Sequence, residues 1–306
     1  MLLLQAVILG IPMGALYGLM GFGIALIFRS VGVMNFAHGN GGMIGAFTAF
    51  SVYLTSGSFA LAVVVGLVVG AAIGVAMDEV LMKRVKGLSH ASMIILTLGV
   101  LMILEGSAFI VWGTEPISFP RLYTGPPLIV QVGDGMLVAA ANDVAITIVA
   151  VAVSLALAIF LKFTRFGTGT RARAQNELGA KVVGINIRVI DAIVWGIGVG
   201  LAALVALLVA PKTSITPTML VNFQLYGLTA AVLGGFTSFF GAIVGGFILG
   251  ILEKLIVFGV DALLDAAGAT GVNVADYQLS IILIIIVLML VFKPSGLFGA
   301  RFTGKV

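Results

Sequence analysis

From Leu3 to Phe28 the chain carries no charged residue, and stretches of comparable length and polarity recur almost to its end. Roughly 20 apolar residues, rising ~1.5 Å each, cross about 30 Å of hydrocarbon as a helix. Inside lipid every backbone N–H and C=O must find a partner within the protein, and a helix provides one along its own length. The sequence therefore predicts an all-α, polytopic membrane protein with about 8 transmembrane segments. It would fill residues 1–306 as a single domain.

Hydrophobic residues make up 61% of the chain and charged residues 9%, against roughly 45–50% and about 25% in soluble domains. No soluble domain of ordinary size is expected beside the spans. With no cysteine, disulfides and thiolate metal sites are excluded. The net charge of +4 needs no nucleic acid to explain it, because Lys and Arg collect on cytoplasmic loops. The first apolar run is longer than a signal-peptide core and reads as a retained span.

The expected spans lie at about Leu3–Phe28, up to Tyr53, Phe59–Met82, Ser92–Trp112, Val138–Leu161, Val189–Ala210, 225–260 and Gln278–Phe292. Two of them are interrupted. GVMNFAHGNGGMIG (Gly32–Gly45) is too polar and glycine-rich for a plain lipid-facing helix. Leu225–Gly235 is too short to cross alone and resumes at Gly241. Irregular backbone at membrane depth is tolerated only when buried in protein or lining a cavity. Two such broken or re-entrant helices, one in each half, are the sequence mark of an inverted repeat with a pathway at the repeat interface. Glycines spaced for close helix packing stand at Gly10/Gly14/Gly18, Gly66/Gly70/Gly74, Gly241/Gly245 and Gly246/Gly250. The segment Gly113–Gly135 contains Pro116, Pro120, Pro126 and Pro127, which rule out continuous helix, and PLIVQVGDGMLV within it reads as a small β-hairpin. Asp78 and Glu79 are expected in a charged loop with Lys83, Arg84 and Lys86.

Leu161–Asp191 carries six of the chain's 16 basic residues. Placing it on one side with Arg29, Lys83/Arg84/Lys86 and Lys293/Arg301/Lys305 collects 13 of the 16, and that side is cytoplasmic. The loops at about 113–136 and 261–277 then face outward, with the N-terminus outside and the C-terminus inside. Within GTGTRARAQNELGAKVVGINIRVI one short amphipathic helix is expected, ended or kinked by Gly179 and Gly184. A solvated loop that merely sets topology remains the alternative.

Asn35, Phe36 and His38 sit at the first break, where His38 would gate or relay protons, or would brace the freed backbone together with Asn35. Glu105 reads as the one acid well inside a span, serving a pathway or a structural pairing. Gly234 and Gly235 mark the second break. Met219, Phe223 and Tyr226 would meet solute or form an interfacial aromatic belt. Gly299–Lys305 spells G-x-x-x-x-G-K without the following Ser/Thr, so no nucleotide site is expected.

Three ordered motifs carry a resemblance: MNFAHG (Met34–Gly39), RARAQNELGAKVVGIN (Arg171–Asn186) and TAAVLGGFTSFFGAIVGG (Thr229–Gly246). Over nearly its whole length the chain resembles the permeases of branched-chain amino-acid type ABC importers, the H-type subunit more than the M-type. The resemblance implies that a coupling segment at about 162–190 docks on a cytoplasmic ATPase through Ala172–Asn186. Arg171, Arg173, Glu177, Gly179 and Gly184 would contact or shape that interface. It further implies two ATPase subunits that bind the ATP, no cofactor on this chain, an M-type permease partner in a heterodimer, and an extracytoplasmic solute-binding protein. The setting would be a bacterial inner membrane. The solute would be a branched-chain or related amino acid, or a urea, amide or aromatic acid, moved by alternating access. An ion-coupled secondary transporter is the rival reading, relying on His38 and Glu105 as titratable groups.

Overall fold

A computed structural model describes residues 2–32, 34–85, 89–132, 135–236, 238–266, 274–293 and 296–299. Lys86, Asp134, residues 267–273 and the Arg301 and Lys305 expectations lie outside the described residues. The helices are α1 (Leu2–Val31), α2 (His38–Ser56), α3 (Phe59–Ala76), α4 (His90–Trp112), α5 (Ala141–Phe163), α6 (Arg165–Gln175), α7 (Glu177–Val182), α8 (Ile187–Thr213), α9 (Val221–Gly234), α10 (Phe239–Ala266) and α11 (Gln278–Phe292). Among the described residues six helices, α1, α3, α4, α5, α8 and α10, are long and apolar enough to cross a membrane. α9 and α11, of 14 and 15 residues, fall short of the roughly 20 that a span requires.

The chain forms two compact units, one of residues 1–21, 122–152 and 226–306, the other of residues 22–121 and 153–225. In the second unit α2, α3 and α8 pack together, and α8 is buried along most of its length around the fully enclosed Trp195. The Gly66/Gly70/Gly74 stripe does serve as a packing face: Gly66 and Gly45 of α2 each stand so close that a Cβ on one would lie 2.7 Å from the other's carbonyl oxygen. A Cβ on Gly42 would come within 2.6 Å of the Ala202 carbonyl oxygen of α8. This corrects the reading of Gly32–Gly45 as one irregular piece. The helix begins at His38, and Gly39–Gly45 lie inside it, where Gly42 and Gly45 admit neighbouring backbones and Gly41 admits the Val199 side chain.

In the first unit the glycines of α1 meet those of α10. A Cβ on Gly10 would lie 2.6 Å from the Gly250 carbonyl oxygen, and one on Gly246 2.7 Å from the Gly14 carbonyl oxygen. The hairpin is present as β1 (Leu128–Val132) and β2 (Gly135–Ala139), antiparallel with Ile129 opposite Val138. Gln5 of α1 clips onto it, donating to the Val138 carbonyl at 2.8 Å and accepting its N–H at 3.1 Å. Val138 thus belongs to a strand, and the fifth span starts only at Ala141, after the ladder ends.

Two further expectations change. Asp78 and Glu79 are not in a loop, because α3 continues through a π-helical turn, Met77–Met82, that carries both. The span expected at Val189–Ala210 is longer: α8 runs to Thr213, with Pro211 inside its last turn.

Replacing Gly250 by Leu is expected to destabilise the protein by at least about 3 kcal/mol, since the side chain would have to displace backbone on both helices. Gly259→Leu, on the same helix with open space around it, is expected to leave the thermal midpoint in detergent unchanged. Size-exclusion recovery after heating measures both.

Candidate functional site

The first break spans Gly32 to Ala37. α1 runs out at Gly32 with φ +76°, a left-handed conformation suited to glycine, and α2 starts at His38. The backbone groups freed between them are met by side chains from three places. The Phe36 N–H donates to Thr97 Oγ1 of α4 at 3.3 Å, and the Ala37 N–H donates to Asn35 Oδ1 at 3.0 Å. Gln224, near the start of α9, spans the junction: its Oε1 accepts from the Gly39 N–H at 2.6 Å while its Nε2 donates to the Phe36 carbonyl. An amide has both a donor and an acceptor, so one side chain replaces two missing helix bonds.

Asn35 therefore braces the break, whereas His38 does not. The His38 ring is wholly buried, and neither nitrogen has a hydrogen-bond partner among the described residues. It lies against Gly23, where a Cβ would come 2.9 Å from Nε2. Glu105 of α4 accepts from Asn40 Nδ2 of α2 at 3.4 Å, a pairing between two helices of the same unit. Gln224 escaped the sequence reading. Its one signal was an amide inside VNFQLYGL, an otherwise apolar stretch.

At the second break Gly234 ends α9, Gly235 turns with φ +91°, and α10 starts at Phe239. The last α9 carbonyls are taken from far along the chain: the N–H groups of Leu297 and Phe298 donate to Leu233 at 2.8 Å and to Gly234 at 3.1 Å. Glu105 is also not the one acid inside a span. Glu253 lies on α10, buried, with Tyr17 Oη 2.7 Å away and Lys254 Nζ 2.8 Å away. The glycines of that segment drew attention from its charges.

The basic segment forms two short helices rather than one. Thr164 caps α6, accepting from the Gly167 N–H at 3.2 Å. Asn176 then stands in extended conformation as the end of α6 and the start of α7, its Oδ1 accepting from the Gly179 N–H at 2.9 Å. Gly179 is thus inside α7, and the break falls three residues earlier. Gly184, with φ +84°, follows the end of α7, and Asn186 caps α8.

The two arginines expected to contact or shape an ATPase interface make their bonds within the protein. Arg171 Nη1 donates to the Leu161 carbonyl at 2.5 Å, and Nη2 donates to Thr168 Oγ1 at 3.1 Å, so this guanidinium closes the C-terminal end of α5. Arg173 forms a two-pronged pair with buried Asp191 of α8, Nε to Oδ1 at 2.8 Å and Nη2 to Oδ2 at 3.3 Å, and lies 3.6 Å from Glu177. Glu177 in turn pairs with Lys181 at 2.7 Å. Beside the exposed Glu177–Lys181 pair, α7 and the residue after it present apolar side chains outward: Leu178 is 73% exposed, Val182 81% and Val183 74%. Their spacing was visible in the sequence, but the charges around them were more conspicuous. Lys83, just beyond the π turn, is pulled down by burial but held above the usual lysine range by its hydrogen bonds and ion pairs with Glu79 and Asp78. It therefore stays charged at physiological pH.

Residues 7–291 match the family profile described as the permease component of branched-chain amino acid transport systems. Among similar proteins, the high-affinity branched-chain amino acid transport system permease protein BraD of Pseudomonas aeruginosa is 27% identical over 99% of this chain and 98% of its own. The LivH permease protein of the same description from Escherichia coli K12 is 27% identical over 99% and 97%. A probable branched-chain amino acid transport permease protein LivH of Methanocaldococcus jannaschii is 26% identical over 92% and 88%.

The Arg173–Asp191 fork makes a direct prediction. Asp191→Asn leaves a largely buried guanidinium without its counter-charge and is expected to cost about 3 kcal/mol, whereas the apolar pair Arg173→Met with Asp191→Leu recovers most of it. Thermal unfolding and protease cleavage between α6 and α8 read out both variants.

Proposed function

The chain belongs to the family of branched-chain amino acid transport permease components, and we propose that it is the membrane subunit of an ATP-driven importer whose α7 is the point of engagement with a cytoplasmic ATPase. The observation that carries this reading is the construction of α6–α7. Arg171 is tied to the end of α5 and Arg173 to α8, while Leu178, Val182 and Val183 stand in the open beside the half-exposed Lys181. Exposed apolar side chains on a capped, well-anchored helix are an interaction surface, each contributing up to about 1.5–3 kcal/mol when covered. A push on α7 reaches α8 through the Arg173–Asp191 fork, and α8 is the most enclosed helix of its unit.

On this reading ATP is bound and hydrolysed in two partner subunits, and this chain supplies no cofactor and no catalysis. A second permease subunit completes the pathway, and a binding protein delivers the solute from outside. The names of the relatives make a branched-chain or related amino acid the favoured solute. α6–α7 would lie in the cytoplasm with the C-terminus, and the N-terminus outside.

Co-expression of the complex with an affinity tag on the ATPase tests the docking surface. Leu178→Glu with Val182→Glu is expected to release the permease from the ATPase and to lower leucine uptake by about tenfold or more, while the permease itself still purifies as a folded protein. Undiminished association of that variant would remove α7 from the interface. Uptake that survived ATP depletion but collapsed with the proton gradient would instead favour the secondary-transporter reading.

A further inference from the structure

Glu253 stands midway along α10, and Tyr17 midway along α1. At ~1.5 Å per residue, about 20 Å of helix lies to either side of each, further than a lysine can snorkel to reach an interface. Charges at that depth face a bundle interior or a water-filled cavity. The Glu253 carboxylate is 2% exposed: Oε2 accepts from the Tyr17 hydroxyl at 2.7 Å, and Oε1 meets Lys254 Nζ at 2.8 Å. The Tyr226 ring lies 4.7 Å from that of Tyr17.

Holding α1 against α10 does not account for this cluster. The glycine seam already brings the two backbones into contact, and a neutral amide would accept the Tyr17 hydrogen bond without the desolvation cost of an ion. A buried ion pair is a poor source of stability, since desolvation offsets most of its Coulomb attraction. The partner is also an odd one. Successive helical residues point away from each other, so Lys254 must bend back to reach Glu253. Its side chain is 25% exposed against 2% for Glu253, so the cation is the more accessible member of the pair.

This arrangement complements one class of molecule. A carboxylate and an ammonium side by side, with the Tyr17 hydroxyl on the carboxylate and the Tyr226 ring beside that of Tyr17, match the ammonium and carboxylate of an α-amino acid. We propose that Glu253, Lys254, Tyr17 and Tyr226 hold the zwitterionic head group of the solute in transit. The Glu253 carboxylate takes the incoming ammonium over the tyrosine faces, and the released Lys254 ammonium takes the carboxylate. One internal pair is exchanged for two with the solute, and the site stays neutral before, during and after. A zwitterion passes on these terms, whereas a net charge leaves one side chain unmatched. The inference rests on the reading of this chain as an amino-acid permease.

The test uses the complete complex in proteoliposomes, with ATP on the ATPase side and binding protein outside, and L-leucine as probe. Glu253→Gln with Lys254→Gln keeps the cluster neutral and the Tyr17 hydrogen bond available. It is expected to co-purify with its partner subunits as the parent does, yet to lose leucine uptake by about tenfold or more, since a hydrogen bond to a charged group is worth about 1.5–3 kcal/mol. Uptake within twofold of the parent would show that the pair is only a structural pin and overturn the proposal. Should the double variant fail to assemble, the unmodified complex decides. A diazirine analogue of leucine carried through the complex is expected to crosslink to the segment around Glu253 or Tyr17 during turnover, and crosslinks confined to other segments overturn the site. A parent complex that takes up no leucine would fail the permease reading itself, a separate result.

Discussion

Helices in a bilayer gain nothing by hiding apolar surface from water, because the lipid around them is as apolar as they are. What holds them together is dispersion, which decays within an ångström of separation, and a few polar bonds. This fold depends on how closely its helices can approach. Gly10, Gly14, Gly246 and Gly250 remove the side chains between α1 and α10, and Gly42, Gly45 and Gly66 do the same between α2 and its neighbours. Backbone rests on backbone, so small displacements are resisted. Units built this way transmit force instead of absorbing it.

The polar elements divide into two kinds of work. Some replace bonds that helix breaks remove: Gln224, Asn35 and Thr97 at the first break, and Leu297 and Phe298 at the second. Others connect elements: Arg171 fastens α6 to α5, and Arg173 fastens α6 to α8. The segment between α5 and α8 is therefore a part of the scaffold with one open apolar face, not a loose loop.

Much of the fold was legible in the sequence, because span length and the turn of a hairpin are local properties. The runs ending at Trp112 and Phe292 and the strands around Gly133 needed only hydrophobic length and a Gly-Asp-Gly signal. The glycines were harder, since a residue without a side chain serves a break and a close contact equally well. Gly39–Gly45 were read as the first when they do the second. The site was less legible for a related reason. Composition reports that Arg171 and Arg173 are charged but not which way they point, and direction depends on Leu161 and Asp191, which local pattern does not bring near. Glu253 was overlooked because it stands among the glycines that draw the eye. Asn176 carries no periodicity signal at all, yet it divides the basic segment in two.

The cap on α9 has a consequence for how the molecule is made. Leu233 and Gly234 end a helix too short to cross the membrane, and among the described residues their carbonyls accept from Leu297 and Phe298, which leave the ribosome about sixty positions later. Until those residues are made, that helix end lacks these two donors, so closure of the second break waits for the segment around Leu297.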